Sequence, residues 1–147
     1  NAFAKGLVPG LDVTPGRGQV LITAPVKKLP FKGIYHFDQG YYYFRELNGR
    51  VLFGGGRNLD FNGEATTEFA LSQRIQQDLE EKLKTIILPH HQFTIEDRWA
   101  GIMAFGKTKQ PIVQAYSSRI WLAVRMGGMG VAIGSEVGRT LAAMMQD

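Results

Sequence analysis

The dipeptide Asn48-Gly49 constrains the fold more than any other short feature, because it separates two β-like runs, YYYFRE and RVLFGGG. Asn-Gly favours a two-residue hairpin turn in which both residues adopt a positive φ. Such a short loop sets the register of the two strands. The predicted cross-strand pairs are Leu47–Arg50, Arg45–Leu52, Phe44–Phe53 and Tyr43–Gly54.

Side chains alternate between the two faces of a strand, so this register assigns each hairpin residue to a face. The predicted core face carries Tyr42, Phe44, Val51 and Phe53. On the other face, glycine has no side chain and so leaves room for a ligand beside two phenols and a guanidinium. That face carries Tyr41, Tyr43, Arg45, Leu52 and Gly54. The alternative is a solvated sheet face on which Arg45 stacks on a tyrosine.

Neighbouring segments extend the hairpin into a larger fold. IYHF, from Ile34 to Phe37, is a third meander strand, and GRGQVLIT, from Gly16 to Thr23, is a further strand. From Thr66 to Leu88 the apolar period becomes helical, with Thr66 or Thr67 as the N-cap. The apolar stripe of this helix is Leu71, Ile75, Leu79, Leu83 and Ile86. The predicted fold class is α+β, with a largely antiparallel β-sheet backed by a long helix.

Composition excludes several classes of function. The 147 residues are 44% hydrophobic, which is enough for one ordinary core. The net charge is +4, but the sequence has no block of like charges that would indicate nucleic-acid binding. No cysteine is present, and no apolar run reaches the roughly 20 residues of a membrane span. His90 and His91 point apart, without a third metal ligand at a suitable spacing. The chain is therefore expected to be cytoplasmic, with no metal, nucleic-acid or membrane partner.

The octet GIMAFGKT, from Gly101 to Thr108, matches the phosphate-binding pattern G-x-x-x-x-G-K-[ST] letter for letter. A P-loop leads directly into a helix whose free amides face the phosphates. Pro111 lies where that helix would be hydrogen-bonded, and Met103 and Phe105 are bulkier than such a loop allows. The match is therefore interpreted as accidental. A P-loop hydrolase, whose nucleotide binding would vanish on Lys107→Ala, is not expected.

A second glycine-rich segment has the context that the octet lacks. RIWLAV, from Arg119 to Val124, is a strand, RMGGMG, from Arg125 to Gly130, is a turn, and VAIGSEVGRTLAAMM is a helix. Backbone amides at such a helix start can converge on an electronegative group. One stripe of the helix is nearly bare and consists of Gly130, Gly134, Gly138 and Ala142. Either a partner presses closely against this stripe, or the helix packs tightly on a sheet without any ligand.

These motifs together resemble the FAD-dependent amine and amino-acid oxidoreductases related to D-amino-acid oxidase, glycine oxidase and sarcosine oxidase. PGRGQVLIT resembles the strand that enters the substrate domain, and YYYFRELNGRVLFGGGRN resembles the ligand-facing hairpin. EDRWAGI and KQPIV resemble the segment that crosses back over the flavin. WLAVRMGGMGVAIGSEVGRTLA is similar to the closing strand, glycine turn and helix of the FAD-binding domain. The resemblance covers nearly the whole chain.

The resemblance implies non-covalent FAD as the cofactor, since a cysteinyl link is excluded in this chain. It implies a remnant of the dinucleotide domain at residues 1–14, a substrate-binding domain at residues 15–115 and the closing strand and helix of the FAD-binding domain at residues 116–147. The implied cofactor-binding residues are Trp99, Ala100, Gly101, Arg125, Met126, Gly127, Gly128, Met129 and Gly130. The amides from Gly127 to Gly130 would stabilise the negative charge that develops on the reduced flavin.

The implied substrate is a small amine or amino acid. The implied reaction is hydride transfer to the flavin from the carbon next to a neutral amine, giving an imine that water hydrolyses, without a catalytic side chain. The implied substrate-binding residues are Tyr43, Arg45, Arg57 and Met103. The amino-acid oxidases usually have a carboxylate-binding arginine where Met103 stands. Either Arg45, Arg57 or Arg125 replaces it, or the substrate has no carboxylate there.

A second departure is that the family's N-terminal strand, glycine fingerprint and ribose-binding acid are not found in this sequence. The chain is therefore expected to be a C-terminal portion of a longer enzyme, inactive by itself and able to self-associate through apolar surface around Trp121 and Ile133. The alternative is a stand-alone module that binds a small ligand or a protein at the aromatic hairpin without redox activity.

Overall fold

The computed structural model describes residues 1–146, which divide into two compact units. The sheet unit consists of residues 17–64 and 68–101. The terminal unit consists of residues 1–16 and 65–67 together with the described residues from Ile102 onward.

The larger of two β-sheets has five strands in the order β2-β3-β4-β1-β5. Its strands are β1 (Thr14–Thr23), β2 (Ile34–Phe37), β3 (Tyr42–Leu47), β4 (Arg50–Gly55) and β5 (Ile95–Phe105). β4 pairs antiparallel with both β1 and β3, and β2 pairs antiparallel with β3. The predicted meander and the largely antiparallel sheet are therefore confirmed.

The hairpin of β3 and β4 has the register that its turn predicts. Asn48 and Gly49 have φ of 52° and 78°, and the Gly49 amide donates to Glu46 Oε1 at 2.7 Å. The four predicted pairs are all present: Leu47–Arg50, Arg45–Leu52, Phe44–Phe53 and Tyr43–Gly54. The residues of the predicted core face are buried or half-buried in one apolar cluster: Tyr42, Phe44, Val51 and Phe53.

Helix α2 (Gln73–Lys82) backs the sheet through one apolar stripe. Ile75, Leu79 and Leu83 are each no more than 1% exposed, and they share a core with Leu21 and Phe53. Burying a large aliphatic side chain stabilises a fold by about 1.5–3 kcal/mol relative to leaving it exposed. The predicted helical scaffold is therefore confirmed for these three residues.

The start of α2 differs from the prediction, because Ser72 rather than Thr66 or Thr67 caps the helix. Ser72 has an extended backbone, and its Oγ accepts from the Ile75 amide at 3.5 Å. The Ser72 amide donates to Gln19 Oε1 at 3.0 Å. A side chain from β1 therefore helps to set where the helix begins, which local spacing does not reveal.

Helix α2 continues as a turn of π-helix, Leu83–Ile87, in which the Leu88 amide donates to Leu83 O at 2.8 Å. A π-turn holds one more residue than an α-turn, so the apolar stripe moves on by one position. Ile87 and Leu88 are therefore buried, whereas the predicted stripe residue Ile86 is 56% exposed. The prediction for Ile86 is wrong because it assumed an uninterrupted 3.6-residue period.

Tyr42 links the hairpin to α2. Its hydroxyl donates to Asp78 Oδ2 at 2.7 Å, and the Lys82 ammonium lies 4.9 Å from the centroid of its ring. Burial, followed by the hydrogen bond to Asp78, raises the pKa of Tyr42 well above its ordinary value of 10.0.

The raised pKa of Tyr42 predicts a loss of stability in alkali. The unfolded phenol loses its proton near pH 10 while the folded phenol keeps it, so this stabilisation is present below about pH 10 and is lost as the pH rises further. In urea denaturation, the free energy of unfolding of the parent protein is expected to fall more steeply with pH above about pH 10 than the free energy of unfolding of the Tyr42→Phe variant. Parallel curves for the two proteins would contradict this.

The terminal unit contains helices at both ends and a hairpin between them. Its elements are α1 (Ala4–Leu7), β6 (Ile112–Ser117), β7 (Ile120–Val124) and α3 (Gly130–Met144), and β6 pairs antiparallel with β7. Val137 on α3 is 5% exposed. A second apolar cluster in this unit consists of Ala2, Ala4, Val8, Leu11, Val13, Ala104 and Leu122. The predicted strand, glycine turn and helix are therefore confirmed.

The octet GIMAFGKT does not form a P-loop. Gly101 to Phe105 belong to strand β5, and the next regular element is strand β6. The Lys107 amide donates to Asp12 Oδ2 at 3.0 Å, so a carboxylate contacts the segment that would face a phosphate. The accidental nature of the match is confirmed.

Within residues 1–146, no group of three or more histidine, aspartate or glutamate side chains is arranged to hold a metal ion. None of the helices in the same residues is both long enough and apolar enough to cross a bilayer.

Candidate functional site

The glycine turn between β7 and α3 has a left-handed backbone at Gly127 and Gly128, with φ of 56° and 86°. The Gly127 amide donates to Ala104 O at 3.1 Å, and the Met129 amide donates to Met126 O at 2.8 Å. Two of the four amides predicted to face a cofactor are therefore used within the chain. These two amides, of Gly127 and Met129, hold the shape of the turn, and the cofactor-binding role of both residues stays a prediction.

Three other amides at this turn have no hydrogen-bond partner among residues 1–146: Gly128, Gly130 and Val131. They lie at the amino end of a 15-residue helix, where the helix dipole contributes positive potential. Val131 is fully exposed, and a Cβ built at Gly127 would meet no atom within 4 Å. The turn can therefore accept an electronegative oxygen. The prediction omitted Val131, although the rule that the first amides of a helix lack partners would have included it.

Two methionines lie beside the turn. A Cβ built at Gly128 would lie 3.3 Å from the Met103 sulfur, and one built at Gly130 would lie 3.5 Å from the Met126 sulfur. Both methionine side chains are half-buried. Met103 is therefore a neighbour of the glycine turn, and its thioether cannot replace an arginine as a carboxylate ligand.

Arg125 is buried in the terminal unit, and its guanidinium is engaged on all sides. Nη1 donates to Asp12 Oδ2 at 2.6 Å and to Asp12 O at 3.1 Å. Nε donates to Gln110 O and Nη2 to Thr108 Oγ1, both at 3.0 Å, while the backbone amide donates to Asn1 Oδ1 at 2.8 Å. The Arg125 guanidinium is therefore not free to bind a substrate carboxylate, which leaves Arg45 and Arg57 of the three predicted alternatives, and the cofactor-binding role of Arg125 stays a prediction.

Trp99, Ala100 and Gly101 are consecutive residues of β5 in the sheet unit. Trp99 is 42% exposed, and a Cβ built at Gly101 would meet no atom within 4 Å. An exposed indole and an open glycine leave accessible surface on this strand. The cofactor-facing role of these three residues stays a prediction.

The open face of the sheet unit carries two rows of cross-strand neighbours. The first row is His36, Tyr43, Gly54 and Val20, and the second is Ile34, Arg45, Leu52 and Ile22. The Arg45 side chain is exposed and makes no hydrogen bond or ion pair with any residue that the structure describes. Its guanidinium is therefore available to an anion.

Tyr43 fills the room that the sequence predicted beside Gly54. A Cβ built at Gly54 would lie 2.7 Å from both Cζ and Oη of Tyr43, and it would also overlap the Val20 side chain. The prediction of ligand space at this point is therefore wrong, because the Tyr43 ring itself lies across the glycine. Burial raises the pKa of Tyr43 above its ordinary value of 10.0.

Arg57 belongs to an aromatic cluster that sequence analysis did not find. Its guanidinium carbon lies 5.1 Å from the ring centroid of Phe61, and Phe61 meets Tyr41 edge-on with centroids 6.0 Å apart. Desolvation by burial lowers the pKa of Arg57. The arginine that stacks on an aromatic ring is thus Arg57 on Phe61, rather than Arg45 on a tyrosine. No periodic pattern covers Phe61, which lies in a loop.

Buried Glu64 anchors the loop that carries Arg57. Its carboxylate accepts from Arg17 Nη2 at 2.5 Å and Nε at 2.9 Å, and from Gln19 Nε2 at 2.9 Å. Gln19 Oε1 accepts from Gln76 Nε2 at 3.2 Å, which links the loop to α2. Sequence analysis missed this network because Glu64 and Arg17 are 47 residues apart.

The bare stripe on α3 is open in the part of the chain that the structure describes. A Cβ built at Gly138 would meet no atom within 4 Å, and Gly138 and Ala142 are exposed. Gly130 and Gly134 have the Met126 sulfur as a neighbour, at 3.5 and 4.0 Å from the built Cβ atoms. Tight packing on a sheet is therefore not formed at Gly138 by residues 1–146, and a closely pressed partner stays a prediction.

A family model described as FAD dependent oxidoreductase matches residues 1–144, and the chain therefore belongs to that family. The predicted resemblance is confirmed. A comparison with curated proteins gives no match.

Several solved structures share the fold. L-proline dehydrogenase from P. horikoshii has a TM-score of 0.77 and 19% identity, covering 99% of this chain and 40% of that chain. Iminodiacetate oxidase from Chelativorans sp. BNC1 has a TM-score of 0.69 and 19% identity, covering 96% and 39%. Glycine oxidase from Bacillus cereus ATCC 14579 has a TM-score of 0.67 and 16% identity, covering 91% and 36%. The chain thus spans 36–40% of the length of these structures.

Proposed function

We propose that this chain is the C-terminal portion of an FAD-dependent oxidoreductase that oxidises an amine or amino acid at a CH–NH group. The observation that carries the proposal is the set of unpaired amides of Gly128, Gly130 and Val131 at the open start of α3. The similar structures are, by name, an L-proline dehydrogenase, an iminodiacetate oxidase and a glycine oxidase, which supports a substrate of this kind.

The residues at the glycine turn fit a flavin. No atom of residues 1–146 would obstruct a Cβ at Gly127, so a planar ring can approach the backbone closely. Bound FAD would supply the hydride acceptor. The amides of Gly128, Gly130 and Val131 would donate to an electron-rich oxygen and stabilise negative charge there, in a position that the helix dipole also favours.

On the substrate side, Arg45 is proposed to bind the substrate carboxylate. It is exposed and unpaired within residues 1–146, on the same open face as Tyr43. Arg125 is engaged by Asp12, and Arg57 stacks on Phe61, so Arg45 has the freest guanidinium of these three candidates. A guanidinium binds a carboxylate through two parallel hydrogen bonds, each strengthened by charge.

The domain assignment is part of the same proposal. Residues 15–115 are proposed as a substrate-binding domain, residues 116–147 as the end of an FAD-binding domain and residues 1–14 as a further piece of that domain. The separate sheet unit supports a distinct substrate-binding domain. The greater length of the similar structures supports a flavin-binding portion outside this sequence. The isolated chain is accordingly proposed to be inactive and to self-associate through apolar surface around Trp121 and Ile133, which are half-buried, together with exposed Met129 and Val131.

The visible spectrum of the protein that contains this chain and its FAD-binding portion tests the proposal. We expect a flavin absorption band that bleaches without oxygen when glycine, L-proline or iminodiacetate is added, because the substrate reduces the cofactor. An intact, colourless protein would contradict the proposal and would favour a binding module without redox activity.

Arg45→Leu tests the substrate side of the proposal. Loss of a charge-assisted hydrogen bond to the carboxylate is expected to raise the KM of the bleaching substrate about tenfold or more. Arg74→Leu is the matched control, because Arg74 is also exposed but lies on α2. Equal KM values for the two variants would exclude Arg45 as the carboxylate ligand.

A further inference from the structure

A groove of about 570 Å³ lies in the sheet unit, beside the turn of π-helix that follows α2. Ligand-binding clefts in proteins have volumes of about 300–1,000 Å³, so the groove is large enough for a small organic molecule. None of its lining residues belongs to the two rows of the open face. The lining residues are Pro25, Lys84, His91, Gln92, Phe93 and Thr94.

Backbone hydrogen bonds and core packing hold the walls of the groove in place. The Ala24 amide donates to Thr94 O at 2.9 Å. The His91 amide donates to Leu88 O at 3.2 Å. Phe93 packs against the main apolar cluster of the sheet unit. The groove is therefore formed by fixed backbone before any ligand binds.

Lys84 supplies a positive charge to the groove. It lies on the π-turn Leu83–Ile87, and turns of this kind are rare and occur frequently at functional sites. The Lys84 side chain is exposed and makes no hydrogen bond or ion pair with any residue among residues 1–146. None of the six lining residues is an aspartate or a glutamate. A negatively charged ligand therefore complements the groove.

His91 supplies a hydrogen-bond donor, because burial of one ring nitrogen decides its tautomer. Nδ1 is shielded from water and has no hydrogen-bond partner within residues 1–146, whereas Nε2 is not shielded in this way. A neutral imidazole carries one proton, on either nitrogen. An N–H group buried without an acceptor is costly, which favours the proton on Nε2. The nitrogen of His91 that a ligand can reach is therefore an N–H donor.

We propose that this groove binds an organic anion, whose carboxylate or phosphate group accepts hydrogen bonds from Lys84 Nζ and His91 Nε2. A bare phosphate or acetate ion would leave most of the groove unfilled, so the ligand also has an apolar portion. Phe93 and Pro25 offer that portion an apolar surface. The inference goes beyond the proposed function, which assigns no role to these residues.

Nitrogen NMR of the His91 ring tests the site directly. The protein that contains this chain and its FAD-binding portion is labelled at histidine, and the His91 signals are assigned by their absence in His91→Gln. Without ligand, we expect the proton on Nε2, and a proton on Nδ1 would overturn the donor assignment. Phenyl phosphate and phenylacetate are then added separately. A saturable shift of the His91 signals is expected, and the tighter-binding compound shows whether the groove prefers a phosphate or a carboxylate. No shift with either compound at about 10 mM would overturn the inference.

Lys84→Gln tests the role of the charge. It is expected to weaken binding of the compound that shifts the His91 signals about tenfold, because it removes a charge-assisted hydrogen bond. Lys32→Gln is the matched control, because Lys32 is also an exposed lysine of the sheet unit but does not line the groove. It should leave the dissociation constant unchanged. Equal weakening by the two substitutions would indicate general attraction to a basic surface and would overturn the inference.

A neutral probe and a second pair of variants complete the test. Benzyl alcohol has the aromatic ring without the anionic group, and binding as tight as that of the anions would overturn the assignment of an anion. In calorimetry with the same anion, His91→Gln is expected to weaken binding, whereas His90→Gln, at an exposed residue outside the lining, is not. Equal affinities of these two variants would exclude His91 as a ligand-binding residue. These measurements do not use the flavin, so they decide the inference whether or not the protein oxidises amines.

Discussion

Glu64→Ala is expected to lower the free energy of unfolding by about 3–5 kcal/mol, which urea denaturation would measure. The substitution leaves the Arg17 side chain, which is 9% exposed, without its counter-charge. It also removes the acceptor of Gln19 Nε2. In the parent protein, Arg17 donates two hydrogen bonds to the Glu64 carboxylate, at 2.5 and 2.9 Å. Their removal leaves an uncompensated buried charge, which accounts for most of the expected loss of stability.

Two variants define what the Glu64 result means. Glu81→Ala removes an exposed carboxylate from α2 and is expected to change stability by less than about 0.5 kcal/mol. Arg17→Met/Glu64→Leu replaces the ion pair by apolar side chains and is expected to recover most of the loss. A Glu64→Ala effect as small as that of Glu81→Ala would show that the buried pair is not formed.

Arg125→Met is expected to lower the free energy of unfolding by about 3 kcal/mol, because methionine keeps the stem but none of the guanidinium hydrogen bonds. The substituted side chain would leave Asp12, Gln110 and Thr108 without their shared donor. Asp12 is 39% exposed and can be hydrated, so the loss should lie at the lower end of the range for buried ion pairs.

The controls for Arg125 separate a structural role from a cofactor role. Arg139→Met breaks an exposed pair with Glu136 and is expected to cost less than about 0.5 kcal/mol. Arg125→Lys should recover less than half of the loss, because an ammonium cannot reproduce the planar fork of donors. If Arg125→Met instead keeps full stability and loses only flavin binding, Arg125 acts at the cofactor, as the family resemblance implied.

Neighbouring residues were sufficient to predict the register of the hairpin. The Asn48-Gly49 turn depends on the φ of two adjacent residues, and strand alternation then assigns Tyr42 and Phe53 to the core. The same holds for α3, whose start at Gly130 follows a local change from extended to helical period. These features are encoded within a few residues, so a single sequence contains all the information that they need.

Contacts between distant segments set the chemistry of the open face and of the glycine turn. Alternation assigns Tyr43 to the open face, but only packing against Val20 and Gly54 lays its ring across the sheet and fills the predicted cavity. The sequence leaves Arg125 as a candidate carboxylate ligand, but Asp12, 113 positions away, binds its guanidinium. A sequence pattern does not record such partners, because pair energies depend on distances that exist only after the chain has folded.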